Sequence, residues 1–127
     1  MFYVVPGSGE PIYEQLIRQV KHAISSGTLK TGDQLPTVRD LATRLVINPN
    51  TVARAYRELE QMGLLESNTR RGTVVKFEGP SLTSLERRDQ LQPMLEQLVS
   101  EARLLGVSDA DLMDELKESL RKHRSKS

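Results

Sequence analysis

Two helical patterns that lie almost end to end constrain the fold of this chain more than any other feature. One spans residues 37–45 and the other spans residues 48–62, and each carries apolar residues at spacings of three and four. Only Val46 and Ile47 are left to connect them. Because so short a connection forces the two helices to cross steeply, the pattern predicts a helix-turn-helix.

The starts of these helices carry strong capping signals. The Thr37 side chain can accept a hydrogen bond from the backbone near Asp40, and Asn48 is a favoured N-cap that precedes Pro49 in the first helical position. A preceding helix is predicted over residues 11–26, also with a proline in its first position. One apolar stripe runs through that helix until a Ser-Ser-Gly sequence stops it.

A β-hairpin is predicted to follow the third helix. Residues 64–67 and 73–77 have strand character, and the turn between them is basic and contains a glycine. Upstream, residues 29–34 are predicted to form a turn with a short strand. The glycine, proline and serine at 79–81 resist both helix and strand, so they predict a domain boundary. Residues 1–80 are therefore expected to form a winged helix-turn-helix of three helices and one hairpin.

The remaining residues, 81–127, are predicted to form two helices of a different character. Pro93 is expected to kink or restart the first of them. Ser108 is expected to cap the second, whose charged tail from Arg121 to Ser127 should fray. The chain is therefore assigned to the α+β class, with a winged helix-turn-helix domain followed by two short C-terminal dimerisation helices.

Leucines at helical spacing give the two C-terminal helices apolar stripes that could belong to a core, a partner surface or an effector pocket. Two such short helices cannot easily bury these stripes alone. Burial of apolar surface, at roughly 25 cal/mol per Å², favours pairing with a second copy of the same helices. We therefore expect a homodimer, and the predicted dimerisation residues are Leu91, Leu95, Leu98, Ala102, Leu105, Leu112, Leu116 and Leu120.

The second helix of the predicted helix-turn-helix offers polar side chains at its N-terminal end. Asn48, Asn50, Thr51 and Arg54 lie on the face that remains once the apolar residues are buried. Arg54 can bind guanine as a bidentate donor, and Asn50 can bind adenine or the DNA backbone. Taken singly, a capping role explains Asn48 better than DNA binding does, and a solvated surface position explains Arg54 better.

The basic hairpin tip changes that balance. Arg70 and Arg71 lie beside Gly72, and a purely structural turn needs the glycine but not two cations. Arg39 could equally pair with neighbours of Asp40 or with solvent, but its position favours a phosphate contact, because the helix that precedes the recognition helix crosses the DNA backbone. The predicted DNA-binding residues are Thr37, Arg39, Asn48, Asn50, Thr51, Arg54, Thr69, Arg70, Arg71, Gly72 and Thr73.

Other classes of function find little support in the sequence. The chain has no cysteine, and His22 and His123 form no catalytic or metal-ligating set, so we expect neither an enzyme nor a cofactor or metal. A net charge of +1 is by itself weak evidence for nucleic-acid binding. With no export signal and no apolar stretch near the roughly 20 residues that span a bilayer, we expect a cytoplasmic protein with no membrane partner.

Four separated segments resemble the GntR family of bacterial regulators. They are residues 11–16 (PIYEQL), 32–42 (GDQLPTVRDLA), 48–60 (NPNTVARAYRELE) and 71–75 (RGTVV). The short C-terminal region and the NPNTVA sequence are similar to the YtrA subfamily of that family, whose members often regulate neighbouring transporter genes.

The resemblance implies DNA contacts from Arg39, from the N-terminal part of the recognition helix (the helix predicted over residues 48–62) and from the wing (the predicted β-hairpin). Many relatives carry arginine at two recognition-helix positions where this chain has Pro49 and Ala53. Base recognition is therefore expected to depend more heavily on Asn50 and Arg54.

These observations predict a sequence-specific regulator, expected to be a repressor, that binds a pseudo-palindromic site in double-stranded DNA as a homodimer. Transporter genes are the targets that the resemblance implies. Two alternatives stay open. One is a winged-helix module that binds proteins, and the other is a sensor whose C-terminal helices bind a small-molecule effector of unknown identity.

Overall fold

The structure is a computed structural model that describes residues 2–77, 79 and 83–124. Five helices and one antiparallel hairpin make up the described part of the chain, which confirms the α+β class and the predicted element order. The chain divides into two compact units next to Gly79. Independent folding of the two units stays a prediction. The elements are α1 (Ile12–Ser25), α2 (Val38–Leu45), α3 (Pro49–Gln61), β1 (Leu65–Asn68), β2 (Gly72–Val75), α4 (Ser84–Leu104) and α5 (Asp109–Arg124).

The core of the N-terminal unit is aliphatic and is built by the predicted stripes. Leu16 and Val20 of α1 are almost fully buried, as are Val52 and Leu59 of α3. Each fully buried side chain of this size contributes about 1.5–3 kcal/mol relative to an exposed one. The core therefore fixes α3 against α1, while α2 and β1 also pack against α3.

The caps at the helix-turn-helix follow the sequence prediction. The Thr37 hydroxyl accepts a hydrogen bond from the Asp40 N–H at 3.0 Å, and the Asn48 carboxamide oxygen accepts one from the Asn50 N–H at 2.8 Å. Between the helices, Val46 adopts a left-handed conformation with φ of 55°. Val46 is the C-cap of α2, and its side chain is 88% exposed.

The predicted start of α1 is wrong by one residue. Pro11 is the N-cap with ψ of 146°, and its carbonyl accepts from the N–H groups of Glu14 and Gln15 at 3.1 Å each. Proline suits this position because its fixed φ is compatible with an extended residue whose carbonyl opens the helix. The helix itself lies within the predicted range.

Two glutamines of α1 hold the N-terminal segment. The buried Gln15 side chain accepts from the Val5 N–H at 2.8 Å and donates to the carbonyl oxygens of Val5 at 3.1 Å and of Glu10 at 2.8 Å. One turn later, the Gln19 side chain accepts from the Tyr3 N–H at 3.1 Å and donates to the Tyr3 carbonyl at 2.7 Å. These side chains replace the partner strand that the extended segment lacks.

The short strand predicted near residue 34 pairs with the hairpin. Gln34 forms an antiparallel bridge with Val74 of β2. The backbone bonds on either side run from the Leu35 N–H to the Thr73 carbonyl and from the Val75 N–H to the Asp33 carbonyl, each at 2.9 Å. The segment before α2 is thus a third strand in all but length.

In the C-terminal unit, α4 is capped by Thr83, whose hydroxyl accepts from the Glu86 N–H at 3.2 Å, a cap that the sequence analysis missed. Of the kink and the restart predicted at Pro93, the restart is wrong because α4 runs through that residue, and the kink stays a prediction. The surrounding turn is exposed, so water can hydrate the carbonyl that proline leaves without a donor. Pro80 and Ser81 of the predicted boundary lie outside the described residues.

The last helix begins as predicted, since the Ser108 hydroxyl accepts from the Asp111 N–H at 3.1 Å. It continues to Arg124, past residue 121, where fraying was expected, and residues 125–127 lie outside the described part. None of the helices described is long and apolar enough to cross a membrane. The same residues contain no group of three or more side chains that could hold a metal ion.

Candidate nucleic-acid interface

The surface of α3 that faces away from the core is polar. Asn50, Ala53, Arg54 and Arg57 follow one another at helical spacing on this face, opposite the buried Val52, Ala55, Tyr56 and Leu59. We call this set of four residues the outer face of α3. Two other predicted DNA-binding residues lie at the start of α3: Asn48 is exposed but its side chain caps the helix, and Thr51 is half-buried.

Arg57 belongs to the outer face of α3 and was missed from the sequence. It is exposed, and the structure records no ion pair or hydrogen bond for its guanidinium within the described residues. Its spacing of seven from Asn50, two helical turns, was the signal that could have found it. The outer face therefore offers two arginines rather than one.

Arg54 is not a freely solvated side chain. Its Cζ lies 3.6 Å from the centroid of the Tyr13 ring, and its Nε lies 3.4 Å from a carboxylate oxygen of Glu58. About half of the side chain, 51%, stays exposed. The guanidinium is thus held between α1 and the next turn of α3 while part of it faces solvent.

A buried tyrosine locks α3 to the segment that leads into α2. The Tyr56 hydroxyl donates to the Pro36 carbonyl at 2.7 Å. Burial raises the pKa of Tyr56 to about 12, and the charge of nearby Arg44 opposes that rise only in part. The phenol therefore stays neutral and remains a donor at any physiological pH.

At the start of α2, Thr37 and Arg39 differ in what they offer. The Thr37 hydroxyl is used as the cap, whereas Arg39 is exposed and has no recorded side-chain partner within the described part of the chain. A free cation in the first turn of a helix is electrostatically unfavourable in isolation, because the helix dipole is positive there. Such a position suits a residue that pairs with an external anion.

The wing turn is organised by Asn68, whose carboxamide oxygen accepts from the N–H groups of Arg70 at 2.8 Å and Arg71 at 3.2 Å. Gly72 follows with φ of +73°, a left-handed value that favours glycine. A Cβ at Gly72 would also lie 3.4 Å from the Gln34 side-chain nitrogen.

The two wing arginines have different surroundings. The Arg71 guanidinium donates to the Gly32 carbonyl at 3.2 Å, so it braces the hairpin against the segment before α2. For the Arg70 side chain no partner is recorded within the described residues, and Thr69 beside it is also exposed. Thr73 is half-buried, and its carbonyl is taken by Leu35.

Comparison with known proteins identifies the family. The family model described as "Bacterial regulatory proteins, gntR family" matches residues 12–75, from the first residue of α1 to the last residue of β2. The chain belongs to the GntR family. It is therefore a DNA-binding transcription regulator and not an enzyme, as the sequence predicted.

Individual relatives place this GntR member in the YtrA-like branch. The HTH-type transcriptional repressor YtrA of Bacillus subtilis is 41% identical over 93% of this chain and 91% of its own length. YtrA from Sulfolobus acidocaldarius, a GntR-family transcription factor, has a TM-score of 0.62 and 33% identity over 76% of this chain and 95% of its own. A structure described as a transcriptional antiterminator from Listeria monocytogenes is similar over 98% of this chain and 92% of its own, with a TM-score of 0.84 and 27% identity.

Proposed function

We propose that this GntR regulator is a repressor that binds a pseudo-palindromic operator as a homodimer. The observation that carries the proposal is a set of exposed polar side chains on the winged fold for which no partner is recorded within the described residues. Asn50 and Arg57 on the outer face of α3 and Arg70 at the wing tip are exposed, and their side chains are not used to hold the described fold together.

Base recognition falls to the outer face of α3, because the N-terminal part of a recognition helix meets base edges in the major groove. Asn50 suits adenine, and the arginines suit guanine. Phosphate contacts fall to Arg39 and Arg70, whose exposed side chains have no recorded partner among the described residues. Thr37, Asn48 and Gly72 shape these elements as two caps and a left-handed turn residue, while Thr51, Thr69 and Thr73 stay predicted DNA contacts. Arg71 donates to the Gly32 carbonyl, and we expect its remaining donors to bind phosphate.

Dimerisation is supported by the apolar surface of the C-terminal helices. Leu91 is 53% exposed, Leu98 is 42% exposed and Leu105 is 77% exposed in the single chain. Ala102 is already buried and Leu112 is half-buried, so these two predicted residues have less surface to offer. Covering the exposed leucines with a second copy removes them from water without any further domain.

Selection of bound sequences from a random DNA pool tests the proposal. We expect two inverted half-sites on one face of the duplex, about 10 base pairs or a multiple of that number apart. Enrichment of a single unrepeated site would contradict the dimeric arrangement. Retention of random DNA at low salt with no sequence enriched would contradict sequence-specific regulation altogether.

Repression and transporter targets are tested in the cell. The likeness to a protein named as a repressor supports repression, and the resemblance to the YtrA subfamily supports transporter genes next to the regulator's own gene. Deletion of the regulator should raise transcription of those genes. A fall in their transcription would indicate an activator. We also propose that the protein acts in the cytoplasm, where a DNA-binding regulator meets its operator.

A further inference from the structure

We propose that Tyr13 and Glu58 are positioning residues that make Arg54 a base-reading arginine rather than a phosphate-binding one. The inference rests on the proposed function, since it concerns how the outer face of α3 discriminates between sequences. Tyr13 lies in the first turn of α1, 41 positions before Arg54 in the sequence, and the fold brings its ring under the guanidinium.

The Tyr13 ring restricts the orientation of the Arg54 guanidinium. With its central carbon 3.6 Å from the ring centroid, the cation lies over the π face of Tyr13, where the ring quadrupole attracts it. The ring is half-buried and packed against the core, so it cannot follow the arginine into solvent. A side chain that otherwise explores many rotamers is thereby confined before DNA arrives.

The Arg54 guanidinium keeps donors that the fold does not use. The Glu58 carboxylate accepts from Nε of Arg54 at 3.4 Å, whereas no partner is recorded within the described residues for the two terminal nitrogens. These terminal nitrogens form the edge that binds O6 and N7 of guanine as a bidentate pair. Tyr13 and Glu58 therefore occupy one face and one donor of the Arg54 guanidinium and leave its base-binding edge unused.

The Glu58 carboxylate offsets the positive charge of Arg54. Paired with Glu58, Arg54 adds little net charge at the DNA surface, so it contributes little to the counterion release that drives binding to any sequence. Its hydrogen-bond donors are unaffected by this neutralisation. The pair therefore favours the operator over random DNA, because only the operator offers an acceptor pattern that matches the held edge.

The test measures affinity for the selected operator and for random DNA at several salt concentrations. Tyr13→Leu should lower operator affinity roughly two- to fivefold, the range for a cation–π contact at a partly exposed site, and should leave random-DNA affinity unchanged. Tyr13→Phe keeps the ring and should bind both DNAs like the unchanged protein. In an Arg54→Ala background, Tyr13→Leu should have no effect.

Glu58→Gln provides the complementary arm. It should strengthen binding to random DNA and steepen the slope of log affinity against log salt by up to about 0.9, because Arg54 becomes a full cation at the surface. Glu60→Gln is the matched control, since its carboxylate lies on the same helix but contacts Ser67 instead of Arg54. It should change the slope less.

Two results would overturn the inference while leaving the proposed function intact. One is an equal loss on operator and random DNA for Tyr13→Leu, and the other is a Tyr13→Leu effect that persists without Arg54. Either would make Tyr13 a packing residue between α1 and α3, and circular dichroism of each variant checks that all are folded. If the unchanged protein prefers no sequence at all, the proposed function fails and the inference fails with it.

Discussion

At the scale of single residues, Val46 shows how the turn of the helix-turn-helix is made at a cost. Its φ of 55° and ψ of 54° lie in the left-handed region, which a β-branched side chain rarely adopts. The backbone N–H of Val46 caps α2 in this conformation. The strain is therefore tolerated because the packed helices on either side fix the turn.

Val46→Asn should stabilise the protein, because asparagine tolerates the left-handed region and the exposed valine side chain loses little burial. We expect the free energy of unfolding in urea to rise by about 1 kcal/mol. Val46→Ile keeps the β-branch and serves as the control, with no gain expected. A stabilisation by isoleucine equal to that by asparagine would show that backbone strain is not the cause.

The two wing arginines should separate in binding and stability. Arg70→Ala should reduce the slope of log affinity against log salt by roughly 0.9, the value for one lost phosphate contact. Its unfolding temperature should not change. Arg71→Ala should also lower the unfolding temperature, because its guanidinium bonds to the Gly32 carbonyl. Salt titrations and thermal unfolding distinguish the two variants. If a variant with both Arg70→Ala and Arg71→Ala kept the same salt slope, the wing would not be part of the DNA interface.

At the scale of elements, Tyr56 joins α3 to the segment that precedes α2. It lies on α3, donates to the carbonyl of Pro36 and so fixes α3 to the strand-like segment that precedes α2. The relative placement of α2 and α3 in the helix-turn-helix therefore depends on a phenol that must stay neutral.

Tyr56→Phe should cost about 0.5–1.5 kcal/mol at neutral pH through the lost hydrogen bond. The raised pKa means that the unfolded phenol ionises first, near its ordinary value of 10.0, while the folded phenol holds its proton until about 12. The free energy of unfolding of the unchanged protein should therefore fall by about 1.4 kcal/mol per pH unit across that window. The phenylalanine variant lacks the titrating phenol, so its free energy of unfolding should fall less by this amount.

Urea unfolding between pH 9 and about 12 measures the difference between the two proteins. Tyr3→Phe is the control, because Tyr3 is exposed and its replacement should follow the unchanged protein throughout. Parallel stability curves for Tyr56→Phe and the unchanged protein would contradict the burial of the phenol.

Much of the element level was predictable because its signals are local. The caps at Thr37, Asn48 and Ser108 join atoms two or three residues apart, so residue type and position were sufficient. The bonds from Gln15 and Gln19 to the N-terminal segment and the contact between Tyr13 and Arg54 were not predictable, because they join residues 5 to 41 positions apart that only packing brings together. The same holds for the brace at Arg71, which the sequence presented as a free cation.

At the scale of the whole molecule, the two units divide the work of recognition and assembly that we propose. Truncation after position 80 should leave a folded monomer that binds a half-site, about 100-fold more weakly than the full chain binds its operator, because the avidity of two tethered heads is lost. Sedimentation and binding assays on both proteins test this. A truncated protein that dimerises or binds with full affinity would contradict the assignment.

A charge placed in the apolar stripe should separate the protomers. Leu98→Glu should weaken dimerisation at least about tenfold, because a carboxylate would be buried without a partner. Leu104→Glu is the control, since Leu104 is exposed on the same helix but lies off the predicted stripe. Sedimentation at micromolar concentration measures both variants. Equal effects of the two substitutions would place the interface elsewhere.

The segment from Gly32 to Pro36 also constrains how the chain can vary in length. It pairs with β2 at Gln34, receives the Arg71 guanidinium at Gly32 and the Tyr56 hydroxyl at Pro36, and then enters α2 directly. One inserted residue would reverse the side-chain alternation against β2 and rotate the α2 cap at the same time. Insertions and deletions among descendants of this protein should therefore be absent here and should accumulate in the exposed turn at residues 7–9.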